Sequence, residues 1–223
     1  GDGHHQIAVF RPSAARWYIA IDGTNVSPLS IPWGVSTDIP VPGDYNGDGK
    51  VDLAVFRPSV ATWYFSLDRG WSAPISVAWG ISTDLPAPAD YNGDHKTHLG
   101  VYRPTNGHYY FSTDDFRTAT PIDYNIGGTS ASVPVPADFD GDGKADVAIF
   151  TNGVWKIHLS SGLPDQTVTF GMAGDIPVPR DFNGDGKADL AVFRPSTGSW
   201  FIHFWQPGAA QQTGTVDQQV YFG

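Results

Sequence analysis

GDGKADLAVFRP, at residues 184–195, decides the fold because it does not stand alone. GDGKVDLAVFRP lies at 47–58, GDGKADVAIF at 141–150, GDHKTHLGVYRP at 93–104 and GDGHHQIAVFRP at 1–12. The copies start at 1, 47, 93, 141 and 184, giving periods of 46, 46, 48 and 43 residues. Self-similarity at this spacing marks a repeat architecture in which each copy is one supersecondary unit. The five copies run 1–46, 47–92, 93–140, 141–183 and 184–223 and take up the whole sequence. A single domain over 1–223, without a linker, is therefore expected.

Each copy is a series of short extended segments. Around the second, IPVPGDY (39–45) alternates apolar residues with proline or polar ones, and a turn-rich loop follows at 46–50. VDLAVFR (51–57) reads as a strand and PS (58–59) as a turn. TWYFSL (62–67), β-branched and aromatic, is a further strand, and ISVAW (75–79) is another, closed by Gly80. No sustained 3.6-residue apolar period occurs. Four short strands per copy, repeated five times, predict an all-β chain: a β-propeller of five blades with four short antiparallel strands each. The inner-strand segment recurs at 39–45, 85–91, 133–139 and 176–182. The first copy enters after that segment, and the chain ends on YFG (221–223), which matches AWG (78–80). One blade is thus expected to lack its inner strand. Either the polypeptide continues past Gly223 or the blade is completed in another way, and pairing between copies through it is one route.

Composition agrees. The 223 residues include 26 Gly, 18 Pro, one Met and no Cys, and all 23 acidic residues are aspartate. Glutamate favours helices, whereas Asp, Gly and Pro favour caps and turns, so a helix bundle is excluded. An apolar content of 40% is enough for a packed core. Absence of cysteine removes disulfides and Cys-ligated zinc. A formal charge of −10 opposes binding to a nucleic-acid backbone. No apolar run approaches the ~18 residues of a membrane span. Gly1 opens directly into repeat-like sequence, as expected of a mature protein or an excised domain.

The strongest chemical motif is D-x-(D/N)-x-D-G-x-x-D. It places Asp44, Asn46, Asp48 and Asp52 in the first intact loop, Asp138, Asp140, Asp142 and Asp146 in the second, and Asp181, Asn183, Asp185 and Asp189 in the third. Oxygen donors at positions 1, 3 and 5, glycine at 6 and a main-chain carbonyl at 7 are how a loop wraps Ca²⁺. The carbonyls at position 7 belong to Lys50, Lys144 and Lys187. Hard carboxylate donors suit Ca²⁺ rather than Zn²⁺ or Cu²⁺. Three bound ions would move the formal charge from −10 to −4.

With these loops, the chain resembles the FG-GAP/VCBS repeat family, whose best-known members are the integrin α-subunit propellers. Trp33-Gly34, Trp79-Gly80, Phe170-Gly171 and Phe222-Gly223 stand at the FG position. Phe56-Arg57-Pro58, Tyr102-Arg103-Pro104 and Phe193-Arg194-Pro195 stand near GAP. The resemblance implies about three structural Ca²⁺ ions, a secreted or cell-surface location, and a carbohydrate or extracellular protein as partner. Two copies depart from the pattern. Asp90, Asn92 and Asp94 are followed by His95 and His98 where glycine and aspartate belong, so weak or no Ca²⁺ is expected there. The first copy keeps only Asp2, with Gln6 at position 9, and is not expected to bind.

Departures from a repeat are where a site can be grafted. The column Trp17, Trp63, Tyr109, Trp155 and Trp200 reads as core between blades, and Arg11, Arg57, Arg103 and Arg194 read as ion-pair partners of Asp38, Asp84 or Asp175. Trp71, Phe116 and Trp205 lie outside the template in loops after the third strand. They are the candidate ligand-binding residues, since an exposed ring beside polar groups stacks on a sugar face. The histidines are scattered and suggest no zinc spacing. Ten aspartates lie in the intact loops, and Asp22, Asp68, Asp114, Asp115, Asp123, Asp165 and Asp217 fall in outer loops or strands. No carboxylate pair is therefore expected to converge for glycoside chemistry. No G-x-S-x-G elbow is present either, so no catalytic residue is assigned. The expected function is a calcium-stabilised binding module, carbohydrate-directed, with a protein-adhesion scaffold as the alternative.

Overall fold

The computed structural model describes residues 7–20, 28–67, 73–208 and 216–221. The chain is all-β, with one antiparallel sheet per repeat, as expected of five propeller blades. It divides into two compact units, residues 1–86 with 95–97 and residues 87–94 with 98–223. Among the described residues, no helix is long and apolar enough to cross a membrane.

In the first unit, β1 (Ala8–Arg11), β2 (Arg16–Ile19) and β3 (Leu29–Pro32) form a sheet in that order. It is three-stranded, so the blade expected to lack an inner strand does lack one among the described residues. The second sheet runs β4 (Ile39–Pro40), β5 (Leu53–Arg57), β6 (Thr62–Ser66) and β7 (Ile75–Ala78). The short strand β8 (Leu85–Pro86) follows and holds the repeat position of β4.

The second unit contains β9 (Gly100–Arg103), β10 (His108–Phe111) and β11 (Ile122–Asn125). Its next sheet runs β12 (Val133–Pro134), β13 (Val147–Thr151), β14 (Val154–His158) and β15 (Gln166–Thr169). The last runs β16 (Ile176–Pro177), β17 (Leu190–Arg194), β18 (Ser199–His203) and β19 (Gln218–Tyr221).

The inner strands are only two residues long because proline offers no N–H for a longer ladder. Pro40 pairs with Val55, Pro134 with Ile149 and Pro177 with Val192. The second strand of a blade is apolar on both faces: Leu53, Ala54, Val55 and Phe56 are all buried. That pattern belongs to a strand covered on both sides. Trp17, Trp63, Tyr109 and Trp155 are buried as expected of the aromatic column, and Trp200 is half-buried. In the second unit, Trp155, Phe139, Phe150, Leu190, Val192 and Trp205 share one core between the last two sheets.

Consecutive repeats are tied by the expected ion pair. Arg57 meets Asp38 through two hydrogen bonds of 2.7 and 2.9 Å, and Arg194 meets Asp175 through two of 2.8 and 2.9 Å. Each aspartate also accepts the N–H of the residue after the FG glycine, from Val35 and Met172 respectively. The guanidinium carbons lie 4.4 Å from the Tyr64 ring centroid and 4.2 Å from that of Phe201, so the ion pair is backed by cation–π attraction. The fourth repeat carries Thr151 for arginine and the third carries Ser132 for aspartate, and the two hydroxyls bond each other at 2.6 Å. Both partners have changed, so neither a charge nor an unpaired polar group is left in the interior.

Asp175→Ala leaves the Arg194 guanidinium without its acid and is expected to destabilise the chain by about 2–4 kcal/mol in urea unfolding. Ser132→Ala, which removes one neutral hydrogen bond, is expected to cost about 1 kcal/mol in the same measurement.

Candidate functional site

The acidic loops sit between the first and second strands of the blades, and their conformation is written by the aspartate at position 1. Its carboxylate accepts a fan of main-chain N–H groups. Asp44 takes those of Gly47, Asp48 and Gly49 at 2.7, 3.2 and 2.8 Å. Asp138 takes those of Gly141, Asp142 and Gly143 at 2.6, 3.2 and 2.9 Å. Asp181 takes those of Gly184 and Gly186 at 2.6 and 2.9 Å. Those bonds, led by the one from Gly186, hold the Asp181 carboxyl below its usual range. The turn requires a left-handed residue at position 6. Gly49, Gly143 and Gly186 have φ of 77, 85 and 86°, with open space where a Cβ would lie. Glycine is needed there for its backbone freedom alone.

The aspartate at position 9 closes the loop from below. Asp52, Asp146 and Asp189 are buried and accept the N–H of Tyr45, Phe139 and Phe182 at 2.9, 2.7 and 2.9 Å. Burial pushes Asp146 up to about 7; the Ser160 and Phe139 N–H bonds oppose this, and the charges of Asp140 and Asp138 add to it. Burial also raises Asp52 to about 6, against the Tyr45 N–H bond, with Asp44 and Asp48 adding to the rise, and it raises Asp189. A carboxylate so placed is poorly tolerated as an anion unless a cation joins it. Oxygens of Asp138, Asp140 and Asp146 already lie within 4.8 Å of one another and could hold a metal ion. Donor chemistry and burial thus both fit a bound cation in these loops.

Two further layers were not legible in the sequence. The loop after the third strand lies on the acidic-loop carboxylates: Ser160 and Ser161 donate their hydroxyls to Asp142 and Asp140 at 2.8 and 2.5 Å. In the last repeat Gln206 donates to Asp185 at 2.9 Å. The main-chain N–H groups of Ser160 and Trp205 donate to the second oxygens of Asp146 and Asp189. Successive loops are also linked head to tail. The N–H at position 8 bonds the carbonyl at position 1 of the preceding loop: Thr97 to Asp44, Ala145 to Asp90 and Ala188 to Asp138, at 2.6, 2.7 and 2.6 Å. The head-to-tail links use main-chain atoms only and leave no signal in the side chains.

The loop at 90–98 departs as its sequence suggested. His98 is buried, and its Nδ1 takes the Tyr91 N–H at 3.4 Å, where the other loops use a carboxylate oxygen. In the neutral ring the proton then resides on Nε2, 3.7 Å from Asp94. Asp90, Asp94 and His98 do come within metal-holding distance of one another. With its Nδ1 so occupied, His98 nevertheless places a donor where a hard cation needs an acceptor. Asp2, Gln6 and the FG pair Phe222-Gly223 lie outside the described residues.

The aromatic candidates are corrected. Phe116 is 1% exposed and Trp205 3% exposed, so neither offers a face to a ligand. The Trp205 indole fills the core beside Phe139 and Trp155, where its large apolar area gains more than it would in water. Phe116 is roofed by the Arg117 guanidinium at 4.6 Å. Trp71 lies outside the described residues. The histidines called scattered turn out to be organised: His108 meets Asp123, His158 meets Asp165 and His203 meets Asp217 at 2.6, 2.7 and 2.8 Å. Tyr124 stacks on His158 with centroids 3.8 Å apart and donates to Asp165 at 2.6 Å. The acids come from the next stretch of chain, so only the fold pairs them.

A cleft of about 450 Å³ opens between the inner strands of the last two sheets of the second unit. Val133, Pro134, Phe150, Ile176 and Pro177 give it apolar walls, and Asn152 and Asp175 bring polar groups. Asn152 is held at φ 50°, in the left-handed region.

Comparison with known proteins places these features. Residues 173–220 match the model of the FG-GAP repeat, consistent with an FG-GAP-type β-propeller. No curated protein matches the sequence. Among solved structures, the chain resembles an Agrocybe aegerita lectin described as recognising non-reducing terminal N-acetylglucosamine. That match has TM-score 0.63 at 16% identity over 90% of this chain and 59% of the lectin. Virginiamycin B lyase from Staphylococcus aureus gives 0.56 at 9% identity over 90% and 64%. BBS1N in complex with ARL6DN gives 0.56 at 14% identity over 89% and 60%. The chain spans about three fifths of the length of these proteins, and at such identities they share its fold.

Because burial raises Asp52, Asp146 and Asp189 above their unfolded values, the metal-free protein binds extra protons on folding. Its melting temperature in chelator is expected to fall as pH rises from about 4 to about 7, with the loss complete above that window. Asp146→Asn is expected to flatten much of this slope, since the amide does not titrate.

Proposed function

We propose that the chain, which carries an FG-GAP repeat and folds as propeller blades, is a calcium-stabilised binding module of a secreted or cell-surface protein, and that its ligand is carbohydrate. The Ca²⁺ assignment is supported by three loops with all-oxygen donor sets and by a buried carboxylate at the base of each. Asp44, Asn46, Asp48, Lys50 and Asp52 would hold one ion. Asp138, Asp140, Asp142, Lys144 and Asp146 would hold the second, and Asp181, Asn183, Asp185, Lys187 and Asp189 the third, each lysine through its carbonyl. The ion supplies charge neutralisation and fixes the loop, and the role is structural. Ser160, Ser161 and Gln206 orient the ligand carboxylates from outside. An extracellular location, where free calcium is plentiful, accords with donor sets of this kind.

The cleft beside Asn152 is the observation that carries the carbohydrate reading. Its volume lies in the range of ordinary small-ligand pockets. Apolar walls from Val133 and Ile176 suit the C–H face of a pyranose, while the Asn152 amide can both donate to and accept from hydroxyls. Likeness of fold to a lectin is compatible with this reading. A protein ligand is the second reading, favoured by the exposed apolar side chains of Val133, Met172 and Ile176 in the same region.

A glycan array probed in excess Ca²⁺ is expected to show saturable binding that Asn152→Ala weakens at least tenfold; an array without any bound glycan refutes the carbohydrate ligand. Melting in Ca²⁺ against EDTA tests the metal independently, because a ligand bound only by the folded state raises the midpoint. Asp142→Ala is expected to abolish most of one loop's share of that rise, and Asp94→Ala to leave it nearly unchanged.

A further inference from the structure

Asparagine followed by glycine occurs five times in the chain, at 46–47, 92–93, 106–107, 152–153 and 183–184. Asparagine is a chemically labile residue. Before glycine it carries its own reaction, because the glycine nitrogen can attack the side-chain amide and no Cβ on the glycine obstructs the approach. The reaction needs an amide that is free to turn and a glycine nitrogen that can give up its proton. Four of the five pairs are held against both.

In the acidic loops, Gly47, Gly93 and Gly184 donate their N–H to Asp44, Asp90 and Asp181 at 2.7, 2.7 and 2.6 Å. The amide oxygens of Asn46, Asn92 and Asn183 accept the N–H of Asp48, Asp94 and Asp185, each at 2.8 Å. Asn106, in the turn between β9 and β10, donates to the Tyr110 hydroxyl at 3.2 Å and accepts the His108 N–H at 3.0 Å. Gly107 donates to the Arg103 carbonyl at 3.0 Å. Asn152 lies in the equivalent turn between β13 and β14. That turn has two residues, whereas the β9–β10 and β17–β18 turns have four, 104–107 and 195–198. Asn152 and Gly153 are both left-handed, with φ of 50 and 91°, as a two-residue hairpin turn requires. Asn106 and Asn152 are exposed and Gly107 and Gly153 buried, so access does not separate the two pairs. Hydrogen bonding does: among the described residues, the Asn152 amide has no partner and the Gly153 N–H no acceptor.

We propose that Asn152 is a deamidation site, through which the cleft gains an acidic group as the protein ages. The Gly153 nitrogen loses its proton to hydroxide and bonds to Asn152 Cγ. The Cγ–Nδ2 bond breaks, and the amide nitrogen leaves as ammonia after taking a proton from water, which regenerates the hydroxide. A further water opens the cyclic imide at either carbonyl and leaves aspartate or its β-linked isomer. One water is consumed and one ammonia released, and nothing is oxidised or reduced. Asn152 lines the cleft, so conversion removes a donor there and puts a carboxylate into a lining that already contains Asp175. The β-linked isomer also lengthens the main chain inside the turn that Thr151 and Val154 pair across, where the Gly153 carbonyl accepts the Phe170 N–H at 2.8 Å. Weaker ligand binding after conversion rests on the carbohydrate reading above; the conversion itself does not.

The test keeps the full chain folded at mildly alkaline pH in excess Ca²⁺, quenches samples in acid at intervals, digests them and reads each Asn-Gly peptide by mass for the change from amide to acid. Asn152 is expected to convert at least tenfold faster than Asn106, its matched partner, and than the other three, because several bonds must break before those can react. The rate should rise with pH, since the glycine proton is removed first. In urea all five are expected to convert at similar rates, since only the fold separates them. By ion exchange the folded chain should yield one more acidic species, a single charge beyond the formal −10, and Asn152→Gly, which keeps the left-handed turn, should not. An Asn152 that converts no faster than Asn106 in the folded chain overturns the proposal. So does an acidic species that still forms in Asn152→Gly, or a preference for Asn152 that persists unchanged in urea. Mass and charge are read without any ligand, so failure here is separate from an empty glycan array.

Discussion

A buried carboxylate at the base of each intact loop is the constraint from which the rest follows. Asp52, Asp146 and Asp189 are held under the loops by a main-chain N–H, and burial makes their ionised form costly. A purely structural residue at this position could have been apolar or neutral. An acid that folding itself pushes toward protonation is relieved where a cation offsets the cost, and the oxygens of Asp138, Asp140 and Asp146 lie close enough together to hold one. Asp146 and Asp189 also accept the N–H groups of Ser160 and Trp205, so these loops are bonded to the stretch after the third strand.

Repetition makes such couplings additive along the chain. Among the described residues, Thr97, Ala145 and Ala188 at position 8 bond the loop before, and Lys96, Lys144 and Lys187 at position 7 lay their stems on Gly47, Gly93 and Gly141 of that loop. A Cβ on Gly47 would meet Lys96 at 2.8 Å, and one on Gly141 would meet Lys187 at 3.1 Å. Neighbour-only contacts of this kind are how repeat proteins build stability from modest units. They also explain why a departure in one copy is answered locally. Thr151 is answered by Ser132, and His98 takes over the N–H that an aspartate would have held.

Much of the site was legible before the fold. The loop motif names its own geometry, because donors at positions 1, 3 and 5 and a glycine at 6 are contiguous in sequence and wrap locally. The arginine–aspartate pairs were legible for a related reason: both columns recur once per copy, and a repeat period converts recurrence into spatial adjacency. His158 and His203 share a column, opposite Val147 and Leu190, but their acids do not, so the histidine–aspartate pairs escaped notice. Asp165 and Asp217 sit at different places in their copies and reach His158 and His203 only after the outer strand folds back.

By itself, the sequence determined the all-β repeat class and the position of every acidic loop, since each is a property of residues near one another in the chain. Only the tertiary structure decided which aromatic rings face water. Phe116 and Trp205 look like surface loop residues in the sequence, yet they are buried, because the core that receives Trp205 is assembled from strands tens of residues away.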